Sequence, residues 1–349
     1  MSLIRRSRRS GGYDTLDVMK WICALMVVVI HCKPMKPYSN LLNVLTAEGI
    51  CRIAVPFFFC TSSLLLCGKL SAHPSDEQAR RRICRKAWLG NIKLYLTWSA
   101  LYWIFFLPEW CSSGRLSWGH MLDQLRFLLI DTGSCYHFWY MVALLYALPL
   151  MPLLWKCSNG MLIVFVCLLW PFQCIRYAYR WIPGGDIFPW DSDWLDALMN
   201  TAFCAVPLLM VGILCFRYHR QYDAKRWAIS MVALLIANLG ELMALYFYAP
   251  HTGHFEFLLT TPLLVFCLIN CLLTLNVSFA DRRIPLALRQ ASVWIYCIHP
   301  MLIGAYGYVH SSMGVRRFIV VLALCLLSSM AYVCCKRSKL KIGKEVNLS

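Results

Sequence analysis

Charge is what this sequence has least of. Only 15% of its 349 residues are Asp, Glu, Lys or Arg, while 60% are hydrophobic, and the mean hydropathy is +0.58. That balance excludes an ordinary soluble globular domain and predicts a polytopic membrane protein. No stretch is polar enough to build a sizeable soluble domain. The arginine-rich N-terminus precedes an apolar run, but no small-residue cleavage site follows it, so the run reads as a retained helix and not a signal peptide. Internal repeats and low-complexity linkers are absent. No Cys-x-x-Cys pair or Cys/His cluster has metal-ligand spacing, so no metal is expected. The 19 cysteines lie mainly in apolar stretches, where cysteine acts as a small apolar residue. Cys111 and Cys135 fall in one external loop region, and a disulfide between them is one option. Nucleic acid is excluded as a partner: no aromatic-plus-basic RNA module and no DNA-reading helix is present.

Ten apolar stretches are long enough, or nearly so, to cross about 30 Å of hydrocarbon. They are residues 16–33, 48–68, 88–107, 136–155, 160–175, 198–216, 227–248, 257–277, 291–309 and 318–335. The expected fold is therefore all-α, a polytopic membrane protein of about ten transmembrane helices with both termini cytoplasmic. Its parts are a basic N-terminal segment (1–15), a membrane domain (16–335) and a basic tail (336–349). Residues 121–135 read as a re-entrant or interfacial piece. With the N-terminus inside, 23 of the 34 Lys and Arg fall in cytoplasmic segments and eight in external ones, as the positive-inside rule requires. The net charge of +17 is then mainly a topology signal; the expected location is the plasma (inner) membrane, with multiple passes.

Few ionisable residues remain inside the spans. Such residues are costly in lipid and usually face a protein interior or a water-filled cavity. Lys20 and His31 are eleven positions apart, and at about 100° per residue this is within ~20° of three full turns. They share one face of the first helix, roughly 16 Å apart along its axis. Asp17 lies one turn before Lys20 and can pair with it. Histidine suits a general base because its pKa lies near working pH; a histidine reaching for the outer interface is the alternative. Lys20, near the inner leaflet, suits an anionic donor or serves as an interfacial lysine. Arg52, four residues before Pro56, needs a partner, and Glu48 is one turn away. Ser62 belongs to a group of small polar residues that lets helices approach, and no nucleophile-elbow pattern surrounds it.

The cluster Arg80, Arg81, Arg82, Arg85 and Lys86 could grip phosphates or anchor to anionic headgroups. His137, Trp139 and Tyr140 sit at the outer end of the fourth span. His299 falls near mid-membrane in the ninth span, just before Pro300, and Tyr296 precedes it by three residues. Glu241 lies inside the seventh span and needs a partner or a proton. In the external segment 176–197, Trp181, Trp190 and Trp194 could stack on sugars while Asp191 accepts hydroxyl hydrogen bonds; an interfacial aromatic belt is the alternative.

Five segments, in order, resemble the acyltransferase family 3 membrane proteins, which modify bacterial surface glycans. LDVMKWICALMVVVIH resembles the first helix of that family, a basic residue followed ten residues on by histidine. The usual arginine is here Lys20. RIAVPFFFCTSSLLL resembles its second helix, with Ser62-Ser63 in place of Ser-Gly. RRRICRKAWLGNIKLYLTW, YHFWYMVALLYALPLMPLL and ASVWIYCIHPMLI resemble the entry to its third helix, its Leu-Trp-aromatic helix and its late Ile-Tyr-x-x-His-Pro segment. The resemblance implies transfer of an acyl group, most often acetyl from acetyl-CoA, to a hydroxyl of an extracytoplasmic or lipid-linked glycan. It implies His31 and Lys20 as the catalytic pair, with Lys20, Arg82, Arg85 and Lys86 on the acyl-CoA side. Asp17, Glu48, Arg52, Ser62, His137, Trp139, Tyr140, Glu241, Tyr296 and His299 are then cavity or support candidates, and Trp181, Trp190, Asp191 and Trp194 acceptor candidates. Direct transfer and a covalent acyl intermediate both stand. Many relatives carry an esterase-like domain after the membrane part. The sequence ends about 14 residues past its last predicted span, which leaves completion of the reaction to the membrane domain or to a separate extracytoplasmic transferase. The rival reading is a transporter or flippase for a glycan or small solute, including a serine-uptake role.

Overall fold

The computed structural model describes residues 13–181, 196–249, 255–275, 279–310 and 314–346, with side chains through residue 338. Among these residues the regular structure is entirely helical, and each of the ten predicted stretches overlaps a helix. Eleven helical runs follow one another. They are α1 (Asp14–Cys32), α2 (Asn40–Leu70), α3 (Glu77–Ser112), α4 (Trp118–Ile130), α5 (Tyr136–Leu154), α6 (Asn159–Arg176), α7 (Asp196–Tyr218), α8 (Ala224–Tyr248), α9 (Thr261–Leu275), α10 (Arg283–Val309) and α11 (Val315–Val346). Seven of them (α1, α2, α5, α6, α7, α8 and α11) are long and apolar enough to cross a membrane. The predicted span at 257–277 is a shorter apolar helix, α9. Those at 88–107 and 291–309 lie within α3 and α10, whose hydropathy is diluted by residues such as Lys93, Arg289 and His299. The chain is a multi-pass membrane protein whose described regular structure is all helical.

Several boundaries differ from the sequence reading for local reasons. α3 has 36 residues, about 54 Å at 1.5 Å each, because its basic entry is itself helical. Asp76 caps it, accepting a hydrogen bond from the Ala79 amide at 2.8 Å. Of the region expected at 121–135, residues up to Ile130 belong to the surface helix α4, which has no buried residue, while Asp131, Ser134 and Cys135 beyond it are buried. α11 continues through the predicted tail to Val346, since Lys, Arg and Leu are good helix formers and no proline interrupts them. Cys111 is an exposed free thiol and Cys135 a buried one, so the disulfide is not formed.

The chain divides into two compact units. One comprises the residues up to Ala54 and those from Cys271 onward; the other runs from Val55 to Asn270. In the first, α10 packs against both α1 and α11. Leu16, Cys23, Ala24 and Val28 of α1, Ile295 and Cys297 of α10, and Val321 and Cys325 of α11 are fully buried there. Trp294 lies parallel to Tyr332 at a 4.4 Å ring separation and donates to Ser328 Oγ at 3.2 Å, fixing α10 on α11. The start of α1 is pinned at two places: Thr15 donates to the Leu272 carbonyl at 2.9 Å, and Asp14 accepts from the Phe279 amide at 3.2 Å.

The second unit holds the remainder of α2 with α3 to α8 and most of α9. Its helices α2 and α7 cross at close range. Ser63 Oγ donates to the Leu209 carbonyl at 2.8 Å, and a β-carbon on Gly212 would meet the Cys60 carbonyl oxygen at 2.1 Å. Small residues permit such approach where lipid supplies no hydrophobic drive between helices. Because the obstacle is backbone, Gly212→Ala is expected to destabilise the protein by about 1–3 kcal/mol. A thermal unfolding midpoint unchanged from wild type would contradict that packing.

Candidate active site

The candidate residues of the first unit gather at two ends of α1. Near its start, Lys20 Nζ donates to Asp17 Oδ1 at 3.3 Å, and both side chains are about nine-tenths buried. This is the pairing expected one turn apart. Arg289 of α10 is close enough to act on Lys20 electrostatically. A buried cation–carboxylate pair beside a second cation leaves net positive charge on that face.

At the other end His31 lies against His299 of α10, with ring centroids 5.2 Å apart and an interplanar angle of 27°. The orientation of His299 follows from its sequence neighbour. Pro300 has no N–H, so the Tyr296 carbonyl lacks its usual helical donor. His299 Nδ1 fills that gap at 2.9 Å, with the Ile295 carbonyl at 3.2 Å. Facing two carbonyl oxygens, Nδ1 is assigned the hydrogen of the neutral ring, and Nε2 is the acceptor nitrogen. His299 is fully buried, and Tyr296 stands beside it with centroids 6.3 Å apart.

A charged group borders the His31 end. Glu48 is 5% exposed, yet both its oxygens are engaged. Oε1 pairs with Lys33 Nζ at 2.9 Å, while Oε2 takes Arg52 Nε at 2.9 Å and also its Nη2. The local backbone makes this possible. Residues Val44–Gly49 form a π-helical segment and Ile50–Ile53 a 3₁₀ segment, departures from α-geometry that often mark functional positions. α1 ends with Lys33 in the left-handed conformation at φ 45°, its amide bonded to the Val29 carbonyl at 2.9 Å. Arg52 and Lys33 both act electrostatically on His31, and Arg317 Nη2 donates to the Cys32 carbonyl at 2.9 Å.

The other candidates belong to the second unit. Arg82, Arg85 and Lys86 are exposed on the first turns of α3. Nearby, Glu77 is held below the usual carboxylate range by its hydrogen bond from Arg81 and by Lys156. Ser62 donates to the Phe58 carbonyl at 2.7 Å and lies 3.5 Å from the Tyr140 hydroxyl. Tyr140 meets Phe59 edge-on, centroids 4.5 Å apart. Trp139 contacts Phe59 and Phe257. His137 is buried among Tyr102, Tyr136 and Phe138, an aromatic core setting.

Glu241, which sequence left needing a partner, has several. It accepts from Tyr179 Oη and the Leu259 amide at 2.6 Å, and from the Thr260 hydroxyl and amide at 2.6 and 3.1 Å. It ties α8 to the start of α9. Sequence reasoning passed over the neighbouring cluster in which buried Arg176 pairs with Asp196 and, with Gln173, donates to Asn200. The i, i+3 spacing of Gln173 and Arg176 inside an apolar helix was its only signal. Trp181 is exposed, and Trp190, Asp191 and Trp194 lie outside the described residues. A cavity of about 600 Å³ between α6, α7 and α9 has no carboxylate, histidine, lysine or arginine in its wall, which unsuits it for proton transfer. Among the described residues no group of three His, Cys, Asp or Glu could hold a metal ion.

Comparison with known proteins adds a family. A model of the family described as "Acyltransferase domain" matches residues 13–335. A serine/alanine racemase of Enterococcus gallinarum is 25% identical over 341 residues, covering 91% of this chain and 45% of that protein. An amino-acid racemase of Enterococcus faecalis is 23% identical over 358 residues, covering 95% of this chain and 47% of that protein. The chain thus spans about half the length of the curated relatives it matches. No solved structure gives a significant match.

Proposed function

Since the chain belongs to the acyltransferase-domain family and is a multi-pass membrane protein, we propose that it transfers acetyl from acetyl-CoA to a hydroxyl of an extracytoplasmic or lipid-linked glycan in the plasma membrane. The observation that carries this reading is the stacking of His31 on His299 at the end of the helix face that begins with Lys20. His31 is the general base. It takes the acceptor hydroxyl proton as that oxygen attacks the thioester carbonyl carbon. The C–S bond then breaks, the C–O bond stays, and the proton passes to the departing CoA thiolate. The cations beside His31 favour the oxyanion of the tetrahedral intermediate, which forms at a fixed place in a low-dielectric setting. His299, held by two main-chain carbonyls, positions the imidazole of His31. Lys20 serves the donor phosphates as a point charge, lacking the two-pronged grip of an arginine. Arg82, Arg85 and Lys86 are proposed donor contacts on the strength of their charge and exposure.

Acetyl-CoA turnover by the purified protein in lipid, with crude cell-envelope glycan as acceptor, tests the reading. Lys20→Met is expected to raise the KM for acetyl-CoA about tenfold or more, the worth of one charge-assisted hydrogen bond, while the acceptor KM stays put. An unchanged donor KM removes Lys20 from the donor site. A second reading is favoured by the named substrates of the Enterococcus gallinarum relative: the same polar face handles serine or alanine without acyl chemistry. Uptake of labelled serine into protein-bearing vesicles, with no thioester consumed, would select it.

A further inference from the structure

Resting on the acyltransferase reading, we infer that the acceptor is anionic, carrying a carboxylate or phosphate close to the hydroxyl that is acylated. The charge at the His31 end of the first unit points to this. Lys33, Lys36, Arg52, Arg316 and Arg317 belong to segments that converge there, and Glu48 is the one acidic residue within 31–53 and 299–320. The convergence of those segments is visible in three contacts. The Arg317 guanidinium reaches the last carbonyl of α1, and a β-carbon on Gly314 would lie 3.0 Å from Pro37 Cγ, so the 33–37 turn lies against the start of α11. Glu48 is consumed by Lys33 and Arg52. Lys36 and Arg316 are exposed and have no acidic residue beside them in sequence.

Two features make the excess unusual. First, with the orientation predicted from the loops, only eight Lys and Arg lie outside, and Lys33, Lys36, Arg316 and Arg317 are four of them. External loops normally shed such residues. Second, Arg316 and Arg317 occupy the first turn of α11, which contains no acidic residue. The helix dipole is already positive there, so added cations are unfavourable. An arrangement that is unfavourable in the empty protein becomes favourable when an anion is bound. Charge of this kind steers an anionic partner toward the mouth and rejects neutral ones by comparison.

The test is binding, which needs no turnover. The protein in nanodiscs of zwitterionic lipid is titrated with trigalacturonate (carboxylate), pentamannosyl phosphate (phosphate ester) and neutral trigalactose at low ionic strength. At least one anionic probe is expected to bind tenfold or more tightly than the neutral one, with affinity falling as salt screens the charges. Lys36→Glu/Arg316→Glu should erase that preference, and Lys36→Gln/Arg316→Gln should reduce it, with unfolding midpoints at wild-type values. Equal affinity for all three probes, a preference that survives in the charge-reversed variant, or no binding to folded wild type would each overturn the inference. CoA release is measured on the same samples. An intact anion preference with no CoA release from any acyl donor would instead defeat the acyltransferase reading and leave the anion site standing.

Discussion

His31→Ala is expected to lower acyl transfer by about 10²–10⁴-fold, the usual worth of a positioned general base, in a protein that still inserts and folds. Alanine is the best helix former, so α1 should persist. The loss is confined to the ring that stacks on His299 at 5.2 Å. His299→Phe is the companion variant. It keeps an aromatic ring beside His31 but loses the Nδ1 contact with the Tyr296 carbonyl, so it should cost less than His31→Ala. It should act on kcat more than on the KM for either substrate. Rates of CoA release, taken with size-exclusion profiles and unfolding midpoints for each variant, measure both. A folded His31→Ala protein with wild-type turnover would remove His31 from the chemistry.

Glu48→Ala should destabilise the first unit by about 3–5 kcal/mol, because removing one partner of a buried pair strands the other. Arg52 is the residue stranded, since its side chain is 21% exposed; that of Lys33 is 40% exposed and can turn to solvent. The lower end of the range is therefore expected. The double variant Glu48→Ala/Arg52→Ala should lose clearly less than the sum of its parts, giving the coupling between the two residues. Unfolding midpoints of the four proteins in one detergent provide the cycle. Additive losses would show that Glu48 and Arg52 are not coupled and that their ion pair does not hold the π-helical segment Val44–Gly49 to the turn Ile50–Ile53.

What the sequence disclosed follows the range of the physics behind it. Local periodicity placed Lys20 and His31 on one face and paired Asp17 with Lys20 and Glu48 with Arg52, because i, i+3 and i, i+4 contacts need only one helix. Composition disclosed the helical membrane class. The juxtaposition of His31 with His299 was not legible, since it depends on how α10 packs on α1 across more than 260 positions of sequence. The same holds for Glu241, whose partners come from the start of α9 and from Tyr179. The link between Pro300 and the His299 tautomer was within reach, because a missing N–H one residue after a histidine always leaves a carbonyl to fill. The π segment was not, since nothing in VLTAEG distinguishes it from an ordinary α-helix.

The proposed activity is acyl transfer. The most direct test counts CoA released from [¹⁴C]acetyl-CoA against radiolabel recovered on glycan, using wild-type protein in lipid with envelope glycan present or withheld. One acetyl on glycan is expected for each CoA released, with no release when glycan is withheld. Folded wild-type protein that releases no CoA with any glycan, yet carries serine across the bilayer, would contradict it.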